Sequence, residues 1–170
     1  MALLVRLLWL LVICAASPCP ADGMERAGDA LLVRELQARE AAMDDLQTNI
    51  LALIETSPDE ERFDLYWTYN QLVGTWLQVD LSRALLERSI SAVQPLEEEA
   101  IRTNLRDHAR FALWDLDQAR MQLERNVPDA GRAEHLRINE AVRSLLSDAR
   151  TLISRLLADQ CIHLQCVADT

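Results

Sequence analysis

The sequence predicts an all-α protein, an up-down-up-down antiparallel four-helix bundle that follows an N-terminal signal peptide. Long stretches have no internal proline and almost no glycine, and only three short segments interrupt them. Within these stretches, apolar residues recur in alternating steps of three and four, which is typical of helices that pack nearly parallel. Short connections make successive helices antiparallel. No segment has the alternating pattern of a strand.

Residues 1–21 have the pattern of a secretory leader. Arg6 precedes an apolar run from Leu7 to Ala16, and prolines and small residues follow. Cleavage after Ala21 would leave small residues, Cys19 and Ala21, before the cut. A permanent anchor is the alternative, but about 20 apolar residues are needed to span a bilayer. We therefore expect the leader to be removed and a soluble chain to be exported, with the periplasm as its destination.

The mature chain, residues 22–170, is predicted to form one domain, since its length suits a single core. The whole sequence has a net charge of −10. An arginine is the only charged residue of the leader, so cleavage makes the chain more acidic by one charge. This charge disfavours nucleic acid and anionic membrane surfaces. We expect a protein partner or a homodimer, and no stable membrane anchor after cleavage.

Three segments that contain proline divide the helices. Pro58 predicts a start at which Ser57 caps the helix and Glu60 completes a capping box. Pro95, followed by three glutamates, predicts another start, and the segment around Pro128 is the third break. The four predicted helices lie near 24–56, 58–92, 95–126 and 129–160.

The first, third and fourth helices each have one apolar stripe, as a bundle helix requires. These stripes comprise Leu32, Leu36, Arg39, Met43, Leu46, Ile50 and Leu53; then Ile101, Leu105, Ala109, Ala112, Leu116, Ala119 and Leu123; then Ile138, Val142, Leu145, Ala149, Leu152 and Leu156. Polar residues near the seams, such as Asn139, are typical of positions that fix helix register.

The second helix differs because apolar residues cover more than half of its circumference. At about 100° per residue, its polar residues occupy one narrow sector that includes Thr75 and Ser82. One apolar edge comprises Phe63, Trp67, Leu77, Leu81 and Leu85, and the opposite edge includes Leu65, Tyr69, Leu72, Trp76 and Val79. A bundle helix needs only one apolar face. We therefore expect the second of these edges to be an open partner surface, unless the adjacent helices cover it.

The third helix has a smaller apolar excess. Trp114 and Met121 project away from its stripe, with Phe111 toward the same side. An exposed tryptophan can anchor a partner. Trp114 and Met121 are therefore further candidate contact residues.

Cys161 and Cys166 are the two cysteines left after cleavage, and we expect them to form a disulfide in an oxidising compartment. On a continuous helix they would point about 140° apart, so the fourth helix should end near Cys161 and the tail should fold back. A metal site with His163 as third ligand is the alternative. Structural zinc needs four well-placed ligands, and the sequence has no second cysteine and histidine group.

No pattern in the sequence points to catalysis. The Glu-x-x-His, Cys-x-x-Cys-His and Gly-x-Ser-x-Gly motifs are absent, so we predict neither an enzyme nor a bound cofactor. His108 is expected to be a histidine at the edge of the core, bonded to a neighbouring polar group. Met24 and His163 loosely match the placement of the haem ligands in soluble b-type cytochromes, which keeps a non-covalent haem as an alternative.

Two functions from different classes remain. The first is an exported, non-catalytic bundle that acts through protein–protein contact, by self-association or by docking to an envelope partner through the second helix. The second is a carrier of an apolar ligand or haem between its helices. The aromatic residues that could line such a site are Phe63, Tyr66, Trp67, Tyr69 and Trp76.

Overall fold

Four helices account for most of the chain that the computed structural model describes, residues 20–128 and 132–163. They are α1 (Pro20–Thr56), α2 (Asp59–Ser91), α3 (Pro95–Arg125) and α4 (Ala133–His163). These described ranges contain no strand. The all-helical prediction is confirmed, and the predicted helix bounds differ from the observed ones by four residues or fewer. The predicted leader lies almost entirely outside the described residues and stays a prediction.

Polar contacts between the helices show that chain neighbours run antiparallel. Gln37 Nε2 of α1 donates to Glu87 Oε1 of α2 at 3.1 Å, and Arg83 Nε of α2 donates to Glu40 Oε1 of α1 at 2.6 Å. From Gln37 to Glu40 the chain advances along α1, whereas the partners in α2 go back from Glu87 to Arg83, so the two helices run in opposite directions. The same reversal holds in α3 and α4 for Asp117–Arg150 and Glu124–Arg143, and in α1 and α4 for Glu35–Arg155 and Arg39–Asp148. The bundle is therefore up-down-up-down.

All four helices contribute to one core. Its members include Leu32, Leu36, Met43 and Ile50 from α1; Leu65, Leu72, Val79 and Leu86 from α2; Leu105, Ala109, Ala112, Leu116 and Leu123 from α3; and Val142, Leu146, Ala149, Ile153 and Leu156 from α4. The stripes predicted for α1, α3 and α4 therefore face inward. Arg39 departs from its stripe, because it lies half-exposed and pairs with Asp148.

The inner row of α2 alternates aliphatic and hydroxyl side chains. It comprises Leu65, Thr68, Leu72, Thr75, Val79, Ser82, Leu86 and Ser89, all of them buried. The Thr75 hydroxyl donates to the carbonyl of Gln71 at 2.9 Å, and the Ser82 hydroxyl donates to that of Gln78 at 2.8 Å. These two hydroxyls are thus satisfied within their own helix. Their small size leaves room for α4, which α2 also contacts across the bundle. With this row facing inward, Phe63 and Tyr66 point outward.

The turn between α1 and α2 differs from the prediction. Pro58 takes the capping position of α2 and provides no side-chain cap, while Ser57 is buried. Arg62 Nε instead donates to the carbonyl oxygens of Ile54 at 3.1 Å and of Ser57 at 2.9 Å. A guanidinium therefore satisfies the carbonyls left open at the end of α1. The start of α3 at Pro95 is as predicted.

Candidate functional site

The edge of α2 that was expected to be open belongs to the core and its border. Leu65, Leu72 and Val79 are buried. Tyr69 and Trp76 are partly buried and pack against the same core. The bundle therefore covers this edge, and the expectation of an open surface along it is corrected. The physical reason is the rotation of α2, which places its row of small hydroxyl residues beside this edge and inside the bundle.

The opposite side of α2 carries a surface without charged side chains, which we call the outer face. At about 100° per residue, it comprises Phe63, Tyr66, Trp67, Asn70, Val73, Gly74, Leu77, Leu81, Ala84 and Leu85. Phe63 is 72% exposed and Leu77 is 53% exposed. A surface helix normally directs charged and polar residues to solvent. The outer face departs from this rule in a chain of which 26% of the residues are charged.

Phe111 and Trp114, which lie outside the buried stripe of α3, form an aromatic pair at the surface. Trp114 is 59% exposed and Phe111 is 54% exposed. Their ring centroids lie 6.0 Å apart with a tilt of 37°, which is within the range of favourable aromatic pairs. Met121 is only partly exposed. Trp114 and Met121 are therefore accessible, as contact residues must be.

Two contacts between α2 and α3 show that the aromatic pair lies at the same height along the bundle as the middle of the outer face. Gln78 Nε2 of α2 donates to Asp115 Oδ2 of α3 at 2.9 Å, and His108 Nε2 lies 3.3 Å from the Gln78 carbonyl oxygen. Phe111 and Trp114 lie between these two α3 residues in sequence, so they are level with Gln78. The outer face and the aromatic pair therefore lie at the same height along the bundle, on the two helices of the α2–α3 seam. The contact also confirms the role expected of His108.

A compact ionic cluster borders the outer face on the side of α1. Arg83 bonds Glu40 at 2.6 Å, Asp80 at 2.5 Å and Glu87 at 2.8 Å. Burial raises the pKa of the Glu40 carboxyl, and the bond from Arg83 only partly opposes this rise. Burial would lower the pKa of Arg83, but its three carboxylate partners raise it above the usual value. These charges are bonded to one another and leave the outer face itself neutral.

A second ionic cluster is buried where α1, α3 and α4 meet. Arg102 Nη2 donates to Asp29 Oδ2 at 2.8 Å, Nη1 to Gln160 Oε1 at 3.1 Å, and Nε to Glu98 Oε1 at 2.9 Å. Burial opposes the charge of Arg102, but the bonds to Asp29 and Glu98 outweigh it and raise the pKa of the guanidinium. The guanidinium therefore stays charged in the folded protein. No pattern in the sequence indicates this cluster.

A third polar group lies near the beginnings of α2 and α4. His135 Nε2 is 3.3 Å from Glu61 Oε2, and Arg132 Nη1 donates to Asp64 Oδ2 at 3.1 Å. His135 Nδ1 and, one turn later, Asn139 Nδ2 are buried without a hydrogen-bond partner among the described residues. Nowhere in the described part of the chain do three histidine, cysteine or acidic residues form a group that could hold a metal ion.

The residues proposed for a carrier do not converge on one cavity. Phe63 and Tyr66 are exposed, whereas Tyr69 and Trp76 pack against the core. An open groove of about 510 Å³ lies between α1 and α4, lined by Leu46, Asn49, Ala52, Leu53, Thr56, Glu134, Arg137, Ile138 and Ala141. None of the five aromatic residues lines it. The side chain of Met24, one of the two candidate haem ligands, lies outside the described residues.

The C-terminal predictions fall at the end of the described chain. Helix α4 continues through Cys161 to His163, which is the last described residue. Cys166 and the side chain of His163 lie outside the described residues, so the disulfide stays a prediction. Over the segments that the structure describes, none of the helices combines the length and apolarity needed to cross a bilayer.

No family model, curated protein or solved structure matches this chain. Its function must therefore be inferred from its own surface.

Proposed function

We propose that this protein is an exported, non-catalytic helical bundle that acts through protein–protein contact. The contact surface is the outer face of α2 together with Phe111 and Trp114 of α3. One observation carries the proposal. Six large apolar side chains on this surface are between 47% and 72% exposed: Phe63, Tyr66, Leu77, Leu81, Phe111 and Trp114.

The exposed area is comparable with the largest apolar patch of an ordinary monomer. An aromatic side chain presents about 150–250 Å², so the four aromatic residues together expose roughly 450 Å². The largest apolar patch on an ordinary monomer is about 300–600 Å² and is often functional. Leu77 and Leu81 add to the area. Tryptophan and tyrosine are also enriched among the residues that contribute most to binding energy. The surface therefore has both the size and the composition of a contact site.

The leader pattern of residues 1–21 supports export. Mature protein from the native host should begin at Asp22, or within a few residues of it, because small residues precede that bond. Intact-mass measurement of the purified protein checks the processing. Membrane-bound protein with an uncleaved N-terminus would contradict this part of the proposal.

Site-specific photo-crosslinking in the native host tests the contact surface. A photo-reactive amino acid at Leu77 or at Phe111 should give a discrete crosslinked product, because a bound partner lies within reach of both positions. Leu31 of α1 is the matched control, since it is 52% exposed against 53% for Leu77. At about 100° per residue, Leu31 points away from the side of α1 that contacts α2. It should give no such product. Absence of a product at both test positions would contradict the proposed surface.

A further inference from the structure

Gly74 lies near the middle of α2 and on its outer face. Glycine is unfavourable in a helix interior compared with alanine, so its presence there calls for a reason. A Cβ atom added at Gly74 would meet no heavy atom within 4 Å. Packing within the monomer therefore does not require glycine at this position. The missing side chain instead leaves the backbone open to close approach by another helix.

Opposite charges lie at the two ends of the outer face. Asp59 is at the beginning of α2 and Arg88 is in its last turn. Both are accessible, with side chains 90% and 70% exposed, and their ion pairs within the chain, Asp59 with Arg62 at 2.7 Å and Arg88 with Glu97 at 3.9 Å, lie at the surface. Gly74 is nearly equidistant from them, about 22 Å along the helix from Asp59 and about 21 Å from Arg88. An identical helix that crossed antiparallel at Gly74 would therefore place its Arg88 opposite Asp59 and its Asp59 opposite Arg88.

The exposed area is consistent with such a pairing. Each partner in a standard interface contributes about 800 Å². The four exposed aromatic side chains alone supply roughly 450 Å² of this, and the leucines add more. Because the row between Asp59 and Arg88 is uncharged, two copies of it can meet without burying an unpaired charge.

We propose that the outer face binds a second copy of the same chain, with the two α2 helices antiparallel and crossing at Gly74. The contact is isologous, so each charge pair forms twice. This inference rests on the proposed function, because it names the partner of the same surface. The Phe111 and Trp114 pair, which lies level with the middle of α2, flanks the crossing.

Charge exchange at the two ends tests the arrangement. Arg88→Glu would oppose Asp59 of the second copy with a like charge, and Asp59→Arg would do the same to Arg88. Each variant alone should dimerise on the order of tenfold more weakly than the wild type at low salt. An equimolar mixture of the two should recover wild-type affinity, because both end contacts of the mixed dimer again pair opposite charges. Sedimentation equilibrium of the mature chain measures all four samples.

A parallel pair gives a different outcome in the same experiment. Identical residues would then face each other in every homodimer, so neither variant would weaken association. Their mixture would bind more tightly than the wild type. This result would overturn the antiparallel arrangement.

Substitution at the crossing tests the role of Gly74. Gly74→Leu should weaken dimerisation on the order of tenfold or more, because two added side chains separate the helices. The same substitution should raise the thermal stability of the monomer, because leucine is a better helix former and the space beside Gly74 is open. Opposite directions of the two effects distinguish a contact residue from a residue needed for folding. A dimer unaffected by Gly74→Leu would overturn the crossing at this residue.

Failure of self-association can be separated from failure of the proposed function. Wild-type protein that stays monomeric at roughly 100 µM would overturn binding to a second copy. If Leu77 and Phe111 then crosslink to a different chain in the native host, the proposed contact function stands. If neither position crosslinks to any chain, both proposals fail.

Discussion

Replacement of Arg102 with methionine should strongly destabilise the bundle, because it leaves Asp29 buried without its counter-charge. The side chains of Arg102 and Asp29 are only 2% and 5% exposed. Removal of one partner from a buried ion pair costs about 3–5 kcal/mol. The Glu98 side chain is 21% exposed and can be hydrated, so it should add little. The expected loss of about 3–5 kcal/mol is a large part of the roughly 5–15 kcal/mol that stabilises an ordinary domain.

Urea and thermal unfolding followed by circular dichroism measure this loss. For a chain of this size, about 1 kcal/mol corresponds to 2–4 °C, so the Tm should fall by roughly 6–20 °C. The dependence on urea should stay the same, because the surface exposed on unfolding barely changes. Arg150→Met is the matched control. Its ion pair with Asp117 lies at the surface, and such pairs contribute up to about 1 kcal/mol.

A companion variant tests the cause of the loss. Arg102→Met combined with Asp29→Leu and Gln160→Leu should regain most of the stability, because replacing all buried partners with apolar groups can be nearly neutral. A loss below about 1 kcal/mol for Arg102→Met alone would refute the reasoning. It would mean that Asp29 does not need the guanidinium in the folded state.

Three further outcomes follow from the fold, the electrostatics and the sequence. Leu72→Ala should lose about 2–5 kcal/mol in chemical denaturation because Leu72 is fully buried, whereas exposed Leu77→Ala should change stability by about 0.5 kcal/mol or less. The hydrogen bond from Arg150 lowers the pKa of Asp117. Ionised Asp117 therefore stabilises the fold at any pH above the ordinary aspartate pKa. This stabilisation is lost as the pH falls through the lowered pKa. The stability gap between the wild type and Asp117→Asn should thus close on acid titration, and a constant gap would contradict this origin. Exported protein alkylated under denaturing, non-reducing conditions should have no reactive thiols at Cys161 and Cys166, and labelling at either would contradict the disulfide.

The helices could be predicted because their boundaries and stripes are local signals. Pro58, Pro95 and Pro128 interrupt the sequence, and steps of three and four identify the buried side of α1, α3 and α4. Neither signal depends on distant residues. The bounds and the antiparallel order were therefore accessible from sequence alone.

The rotation of α2 was not accessible in the same way. The sequence pattern places Thr75 and Ser82 in the polar sector, but each hydroxyl bonds a carbonyl of its own helix and can enter the core. Serine and threonine are polar in sequence, yet back-bonding removes much of the cost of burying them. Because they point inward, the edge with Leu65, Leu72 and Val79 is buried, and the opposite edge with Phe63 and Leu77 is exposed. The sequence predicts the broad apolar surface of α2. Which edge of that surface is exposed becomes clear only from the folded structure.

The buried cluster around Arg102 could not be predicted either. Arginine is almost never fully buried unless it is paired. Its partner Asp29 is 73 positions away in sequence. No local pattern links residues at that separation, so only the assembled bundle reveals the pair.

The buried cluster also bears on how cooperatively the chain folds. Arg102 joins α3 to α1 through Asp29 and to α4 through Gln160, and α1 and α3 are not neighbours in sequence. A hairpin of α3 and α4 alone, or of α1 and α2 alone, would leave its part of this cluster unpaired in water and its share of the common core exposed. Neither half-molecule is therefore self-sufficient, which favours all-or-none unfolding over stepwise loss of hairpins. Cutting the chain between Ser91 and Pro95 should give fragments that remain largely unfolded apart and regain helicity when mixed.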